Sequence, residues 1–133
     1  MLDLDKITRT GVQLIDEDHR RIFTTLNRIE ESLAQGWEPR TVMELLTALE
    51  DHSITHFQRE ERTMACLKCP LHGANCDAHR VFLERLDHWF ITLSSPGASA
   101  GEARRIHDEC SRWITAHVEL IDSALKQAPG AEE

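Results

Sequence analysis

The segment Asp51-His-Ser-Ile-Thr-His-Phe-Gln-Arg-Glu-Glu61 places His52, His56 and Glu60 at intervals of four residues. Residues four apart share one face of an α-helix. The same register is apolar just upstream, at Val42, Leu45 and Leu49. The polar side chains therefore occupy positions that should face a protein core. A buried carboxylate is strongly unfavourable unless it is compensated, so the pattern predicts either a hydrogen-bonded core cluster or a metal ion.

Three other segments repeat their inward residues at alternating spacings of three and four, as amphipathic helices do. The first of them contains Ile15, His19, Ile22, Leu26, Ile29 and Leu33. The next contains Asn75, His79, Phe82, Leu86, Trp89 and Leu93. The last contains Ile106, Cys110, Trp113, His117, Leu120 and Ala124. With the segment around His56, they predict four helices of comparable length.

Residues that begin or end helices separate these four segments. Gly36 ends the first helix, and Pro39 suits the first turn of the second. Proline and glycine make residues 68–74 a loop, and Ser99 with Glu102 forms a capping box before the last helix. Long helices joined by short loops predict an all-α fold, an antiparallel up-down-up-down four-helix bundle.

Length, charge and hydropathy narrow the functional class. The 133 residues suffice for one domain, which we divide into an arm (1–12), a four-helix domain (13–127) and a frayed tail (128–133). A net charge of −8 argues against nucleic acid or an anionic membrane surface as a partner. The sequence has neither a transmembrane-length apolar run nor the apolar region of a signal peptide. Its few, clustered cysteines do not form a disulfide scaffold, so we expect a reducing, cytoplasmic location.

Each predicted helix carries at least one histidine on its inward stripe. They are His19 on the first helix, His56 on the second, His79 on the third and His117 on the fourth. A single inward histidine is more often a hydrogen-bonded core residue, but four of them beside Glu60 favour a metal site within the bundle. Imidazole and carboxylate ligands suit iron better than structural zinc. Carboxylates can also bridge two cations about 3.5–4 Å apart.

Several motifs together resemble the hemerythrin family, most closely its bacterial single-domain members. They are Gly11-Val-Gln-Leu-Ile-Asp-Glu-Asp-His19, His56-Phe-x-x-Glu-Glu61, His79 followed by Phe82, and Trp113-x-x-x-His117 followed by Asp122. The motifs occur in family order from about residue 11 to residue 125. The resemblance implies a four-helix bundle that holds two iron ions with an oxo or hydroxo bridge. It also implies that dioxygen or another small diatomic molecule binds there.

The same resemblance implies a set of iron ligands in this chain. They are His19, His56, Glu60, His79, His117 and Asp122. The first two histidines would bind one iron and the last two the other, with both carboxylates bridging. Asp122 comes from the resemblance alone, because it lies five residues after His117 and about 140° around the helix. Without the resemblance, we would interpret it as a solvated surface carboxylate.

Position 75 departs from the family pattern. The third helix of the family normally offers His-x-x-x-His, whereas this chain has Asn75 before His79. An amide is a poor iron ligand, and asparagine after a loop is also a favoured helix N-cap. We keep three alternatives: water completes the site and leaves it open for chemistry, His72 is recruited from the loop, or the site binds a single metal.

Four cysteines, Cys66, Cys69, Cys76 and Cys110, lie outside this pattern. The first three, with His72, could form a small zinc site, and Cys66 with Cys69 could form a redox pair. Free thiols at a helix end are the third interpretation. Cys110 is expected to be a small core residue.

Other residues near the stripes receive simpler assignments. His52 either lines the site as a hydrogen-bond donor or gate, or is an ordinary core histidine. Trp113 should form a wall of the site, and His88 and His107 should lie on the surface.

Three functions remain open from the sequence. The leading one is a di-iron protein that binds dioxygen or NO as a carrier, store or sensor. The second is a di-iron enzyme, oxidase-like or peroxidase-like, that acts on dioxygen, peroxide or NO at a position opened by Asn75. The third is a metal-responsive or redox-responsive regulator that uses the loop from Cys66 to Cys76. No segment of the sequence resembles a catalytic triad motif or a phosphate-binding loop.

Overall fold

The computed structural model describes residues 2–7 and 9–127, without the side chains of residues 122, 123, 126 and 127. A short 3-10 helix, Leu4–Lys6, precedes four long α-helices. These are α1 (Gln13–Gln35), α2 (Pro39–Cys66), α3 (His72–Ser94) and α4 (Ala100–Gln127). Helix α1 packs against α2 and α4, and α3 packs against the same two helices. Short connections between packed neighbours require antiparallel directions, so the predicted all-α four-helix bundle is confirmed.

Local sequence signals fix the helix ends. Gly36 follows α1 with a φ of 141°, and Pro39 occupies the first turn of α2. Before α4, the backbone N–H of Glu102 donates to Ser99 Oγ at 3.1 Å, and the Ser99 N–H donates to Glu102 Oε1 at 3.3 Å. These two bonds form the predicted capping box. Among the described residues, no helix combines the length and apolarity needed to cross a membrane.

The apolar core consists of two clusters at different heights in the bundle. The larger one includes Phe57, Phe82 and Ile114, and the smaller one includes Met64 and Ile121. On α2 and α4, Glu60 and His117 fall between residues of these two clusters. The bundle therefore buries a polar layer between two apolar layers, which keeps that layer away from bulk water.

The inward face of α2 differs from the predicted stripe by one residue at two positions. Leu46 and Ser53 are buried, whereas Leu45 and His52 are only partly buried. Spacings of three and four alternate both in the predicted register, which contains Leu45 and His52, and in the observed register, which contains Leu46 and Ser53. The packing of α2 against α1 and α3 selects the observed register. His52 therefore does not line the site, and the first of its two interpretations is wrong.

Two further predictions from the sequence are corrected. Leu120 is 53% exposed, and its neighbour Ile121 is fully buried in the smaller apolar cluster. Helix α3 begins at His72 rather than near residue 75, so the connecting loop is confined to residues 67–71. Asn75 consequently lies inside the first turn of α3 and is not an N-cap.

Candidate metal centre

Glu60 is the centre of the polar layer, and its side chain is fully buried. One of its oxygens, Oε2, lies 2.8 Å from Nε2 of His56 and 3.4 Å from Nε2 of His19. The other, Oε1, lies 2.9 Å from Nε2 of His79 and 3.1 Å from Nε2 of His117. Each helix contributes one imidazole, and the two carboxylate oxygens face different pairs of them.

Two groups of three potential ligands result, and they share Glu60. The His19 half comprises His19, His56 and Glu60, and the His79 half comprises His79, His117 and Glu60; within each group the ligand atoms lie within 4.8 Å of one another. The two Nε2 atoms are 3.1 Å apart in the His19 half and 2.9 Å apart in the His79 half. Both halves are built from buried residues and have donor atoms that suit a transition-metal ion.

Counting the protons shows that this arrangement needs a positive charge. Nδ1 of His56 lies 3.2 Å from Asp18 Oδ2, and Nδ1 of His79 lies 3.0 Å from Glu61 Oε2. An ionised carboxylate only accepts hydrogen bonds, so each Nδ1 must carry a proton. In the neutral ring, Nε2 then presents a lone pair to Glu60, which is also an acceptor. Either additional protons or metal ions must lie between these atoms, so the residues fit a metal centre.

Without metal, protons fill this role. Burial alone would lower the pKa of His56, but hydrogen bonds with Asp18 and Glu60 raise it to about 9. Burial would likewise raise the pKa of Glu60, but hydrogen bonds from His117, His19, His56 and His79 hold it well below its usual value. The metal-free centre therefore contains an ionised Glu60 beside a protonated His56. Binding of a metal ion to Nε2 of His56 must displace the proton on that atom, whereas Nδ1 keeps its proton toward Asp18.

Asp18 and Glu61 form an outer layer that the sequence analysis did not identify. Asp18 also lies 3.0 Å from Nε of Arg59. Burial would raise the pKa of Asp18, but the hydrogen bond with His56 and the nearby arginines lower it. Both carboxylates immediately neighbour a candidate ligand in sequence, which is a usable signal. Partners of this kind orient ligand imidazoles and increase their basicity.

Aromatic rings cover the His79 half of the centre. Phe57 stacks on His79 with ring centroids 3.8 Å apart and planes within 8°. Trp113 stacks on His117 at 4.7 Å and on Phe82 at 4.4 Å. Trp113 therefore forms a wall of the centre, as expected. The rings fix the orientation of these two imidazoles by packing.

Asn75 contacts the same half of the centre. Its side chain is 3% exposed, and its Nδ2 donates to Glu60 Oε1 at 2.9 Å and to Met64 Sδ at 3.1 Å. Its Oδ1 is buried without a hydrogen-bond partner. His72 does not join either group of ligands; its Nε2 lies 3.6 Å from Cys76 Sγ. The structure thus gives no support to recruitment of His72.

The other histidines and Asp122 lie apart from this arrangement. His52 lines a shallow groove of α1 and α2 that also contains Arg20 and Arg28. His107 is buried, and its Nε2 lies 3.1 Å from the carbonyl oxygen of Leu26, so the predicted surface position is wrong. It adjoins Ile106 on the inward stripe, where the carbonyl supplies its polar partner. Asp122 is in α4, but its side chain lies outside the described residues.

All four cysteines are free thiols. Cys66 is exposed, whereas Cys69 is buried with its Sγ 3.9 Å from the carbonyl oxygen of Ala124. A hydrogen bond to Glu61, together with burial, raises the pKa of Cys76 to about 11. Cys110 is buried in the larger apolar cluster, as predicted. Within the described part of the chain, no group of three potential metal ligands includes a cysteine.

Comparisons with known proteins agree with this geometry. The family model described as hemerythrin HHE cation binding domain matches residues 10–128. Bacteriohemerythrins of Pseudomonas aeruginosa and Pseudomonas paraeruginosa are 27% identical over 119 residues, which cover 90% of this chain and 75% of theirs. The bacteriohemerythrin of Stenotrophomonas maltophilia is 27% identical over 114 residues, or 86% of this chain and 72% of the relative. No solved structure matches significantly.

Proposed function

This chain belongs to the hemerythrin family, and on that premise we propose that it holds two iron ions and binds dioxygen or another small diatomic molecule. Its role would be that of a carrier, a store or a sensor. The observation that carries this proposal is the position of Glu60, whose two oxygens face two separate pairs of imidazoles. One buried carboxylate between two pairs of nitrogen ligands is suited to bridging two cations.

The proposed ligands follow from this division. His19 and His56 would hold one iron and His79 and His117 the other, with Glu60 available to both. Asp122 as a second bridge, and an oxo or hydroxo bridge between the irons, rest on the family resemblance. When bound and reduced, the two irons would supply the electrons that dioxygen accepts as it binds.

The surrounding residues have three tasks in this proposal. Asp18 and Glu61 hold the Nδ1 protons of His56 and His79, so that each ring directs its Nε2 toward the centre. Phe57 and Trp113 stack on the imidazoles of the His79 half and fix their orientation. Glu60 keeps its negative charge and offsets part of the charge of two cations.

An enzyme that acts on dioxygen, peroxide or NO is the second candidate, and Asn75 is the observation that favours it. The amide nitrogen donates its hydrogen bonds to Glu60 and Met64, so it cannot serve as a ligand. An additional open position on one metal would favour reaction of the bound molecule over its reversible release. A regulator based on the Cys66–Cys76 loop gains no such support, because the thiols have separate environments. Free thiols fit the proposed cytoplasmic location.

Reversibility distinguishes the two candidates. The iron-loaded, reduced protein should be exposed to dioxygen, purged with inert gas and followed by absorption spectroscopy through several cycles. A carrier, store or sensor should recover its reduced spectrum after each purge. An enzyme should instead consume dioxygen or added peroxide over many turnovers when a reductant is supplied. Failure to bind iron would contradict both candidates.

A further inference from the structure

The two halves of the centre have the same number of described ligands. Each contains two imidazole nitrogens and one oxygen of Glu60. Asn75 precedes His79 by one helical turn and reaches Glu60 Oε1, the oxygen that belongs to the His79 half. Position 75 is therefore the place from which α3 could supply this half with a third side-chain ligand.

The orientation of the Asn75 amide is fixed by its neighbours. Its Nδ2 donates both to Glu60 Oε1 and to Met64 Sδ. The reversed amide would place Oδ1 against a carboxylate oxygen, and both atoms are acceptors. An amide nitrogen has no lone pair available for a metal ion. Asn75 thus presents a hydrogen-bond donor where a ligand would otherwise be.

The remaining oxygen of this amide has no partner. Asn75 is 3% exposed, and Oδ1 is buried without any donor among the described residues. A buried acceptor that lacks a donor is unfavourable, so a small molecule that carries a proton would be stabilised beside it. Water, hydroxide and hydrogen peroxide belong to this class, whereas the azide anion does not.

We propose that Asn75 leaves the His79 half of the centre one protein ligand short, and that its Oδ1 accepts a hydrogen bond from a small protic oxygen ligand bound there. This inference rests on the proposed function and specifies its ligand class. The amide would discriminate between ligands with a proton and ligands without one. Its Nδ2 would meanwhile hold Glu60 in the bridging orientation.

Four variants test this inference by binding alone. Asn75→His and the nearly isosteric Asn75→Asp each place a ligand at the open position. Asn75→Leu keeps the position open but removes the acceptor, and His72→Asn is the matched control for recruitment from the start of α3. Iron(II) affinity is measured anaerobically by calorimetry, azide is titrated into the oxidised iron-loaded protein, and circular dichroism verifies folding.

The His and Asp variants should bind one azide fewer per chain than the unmodified protein. The iron(II) affinity of their weaker binding step should increase by about tenfold or more, because a third side-chain ligand is added. Asn75→Leu should keep the azide count but bind azide about fivefold more tightly, because azide then displaces a water that has lost one hydrogen bond. His72→Asn should change neither quantity.

Different results would overturn different claims. Suppose that the unmodified protein binds iron but that Asn75→His and Asn75→Asp bind as many azide ions as it does. The claim of an open position would then be wrong, and the proposed function would remain intact. Unchanged azide affinity in Asn75→Leu would overturn the hydrogen bond from Oδ1. A changed azide count in His72→Asn would assign the position to His72. Absence of iron from the unmodified protein would instead contradict the proposed function itself.

Discussion

The two halves of the centre have equivalent ligands but different surroundings. In the His19 half, Asp18 is buried beside His56 and paired with Arg59. In the His79 half, the corresponding carboxylate is Glu61, whose side chain is 32% exposed, and aromatic rings stack on both imidazoles. Charge therefore orients His56 in one half, and packing orients both imidazoles in the other. Among the side chains that the structure describes, only Glu60 belongs to both.

Because Glu60 is shared, its replacement should have the largest effect. The neutral amide of Glu60→Gln cannot bridge two cations, and its NH₂ group would point at the imidazoles of one half. We expect iron content to fall from about two per chain to nearly none, with affinity lowered by at least about 100-fold. Metal analysis after anaerobic reconstitution measures this. Full iron content in a folded variant would show that the halves are independent.

Removal of one imidazole from either half should have the next largest effect. His56→Ala and His117→Ala should each lose iron and melting temperature together, because bound metal stabilises the folded state. His56→Ala should be the more damaging, since it also leaves Asp18 buried without its imidazole partner. Thermal unfolding and iron content of both variants provide the measurement. Unchanged iron and melting temperature in both would refute the ligand assignment.

Replacement of the outer carboxylates, Asp18 and Glu61, should show the difference between the two halves most clearly. Asp18→Asn should lower iron affinity by about 10–100-fold, the usual effect of losing a partner of a ligand imidazole. Glu61→Gln should have a smaller effect, because Glu61 is partly solvated and Phe57 still fixes the ring of His79. Competition with a chelator can rank the two variants. Equal losses would mean that packing does not replace charge in the His79 half.

The metal-free protein should show a smaller effect that depends on pH. The pKa of His56 is raised from 6.5 to about 9, so its stabilising contribution is complete below 6.5 and is lost as pH rises through 9. We therefore expect the free energy of unfolding of the metal-free protein to decrease over this interval. In Asp18→Asn the decrease should begin at lower pH. Urea unfolding across this range and NMR titration of His56 test this. A His56 pKa at or below 6.5 would contradict it.

The sequence predicted one helix face more accurately than another. The inward residues of α3 occur as predicted, because large apolar side chains between Phe82 and Leu93 leave one consistent register. Along α2, Leu45 and Leu46 are both apolar, and the small polar Ser53 is buried where His52 was expected. A stripe that admits two registers is decided by contacts with neighbouring helices, which spacing does not contain.

The candidate site likewise has some features that helical spacing predicts and others that only tertiary packing determines. Convergence of four histidines on Glu60 was predictable, because each lies on an inward stripe of its own helix. Asp18 was predictable only in part: it adjoins His19 in sequence, but its partner His56 lies on another helix, and their contact depends on how α1 packs against α2. The orientation of the Asn75 amide likewise depends on Met64 and Glu60 together. Helical spacing identifies ligand positions, whereas tertiary packing determines what surrounds them.

The most direct test of two cations around Glu60 is the metal content of the unmodified protein. It should be purified under reducing conditions and analysed for total iron and zinc per chain by mass spectrometry. The structure and the family together predict about two irons and almost no zinc. One iron per chain, or zinc in place of iron, would contradict a di-iron centre in which each oxygen of Glu60 serves one metal ion.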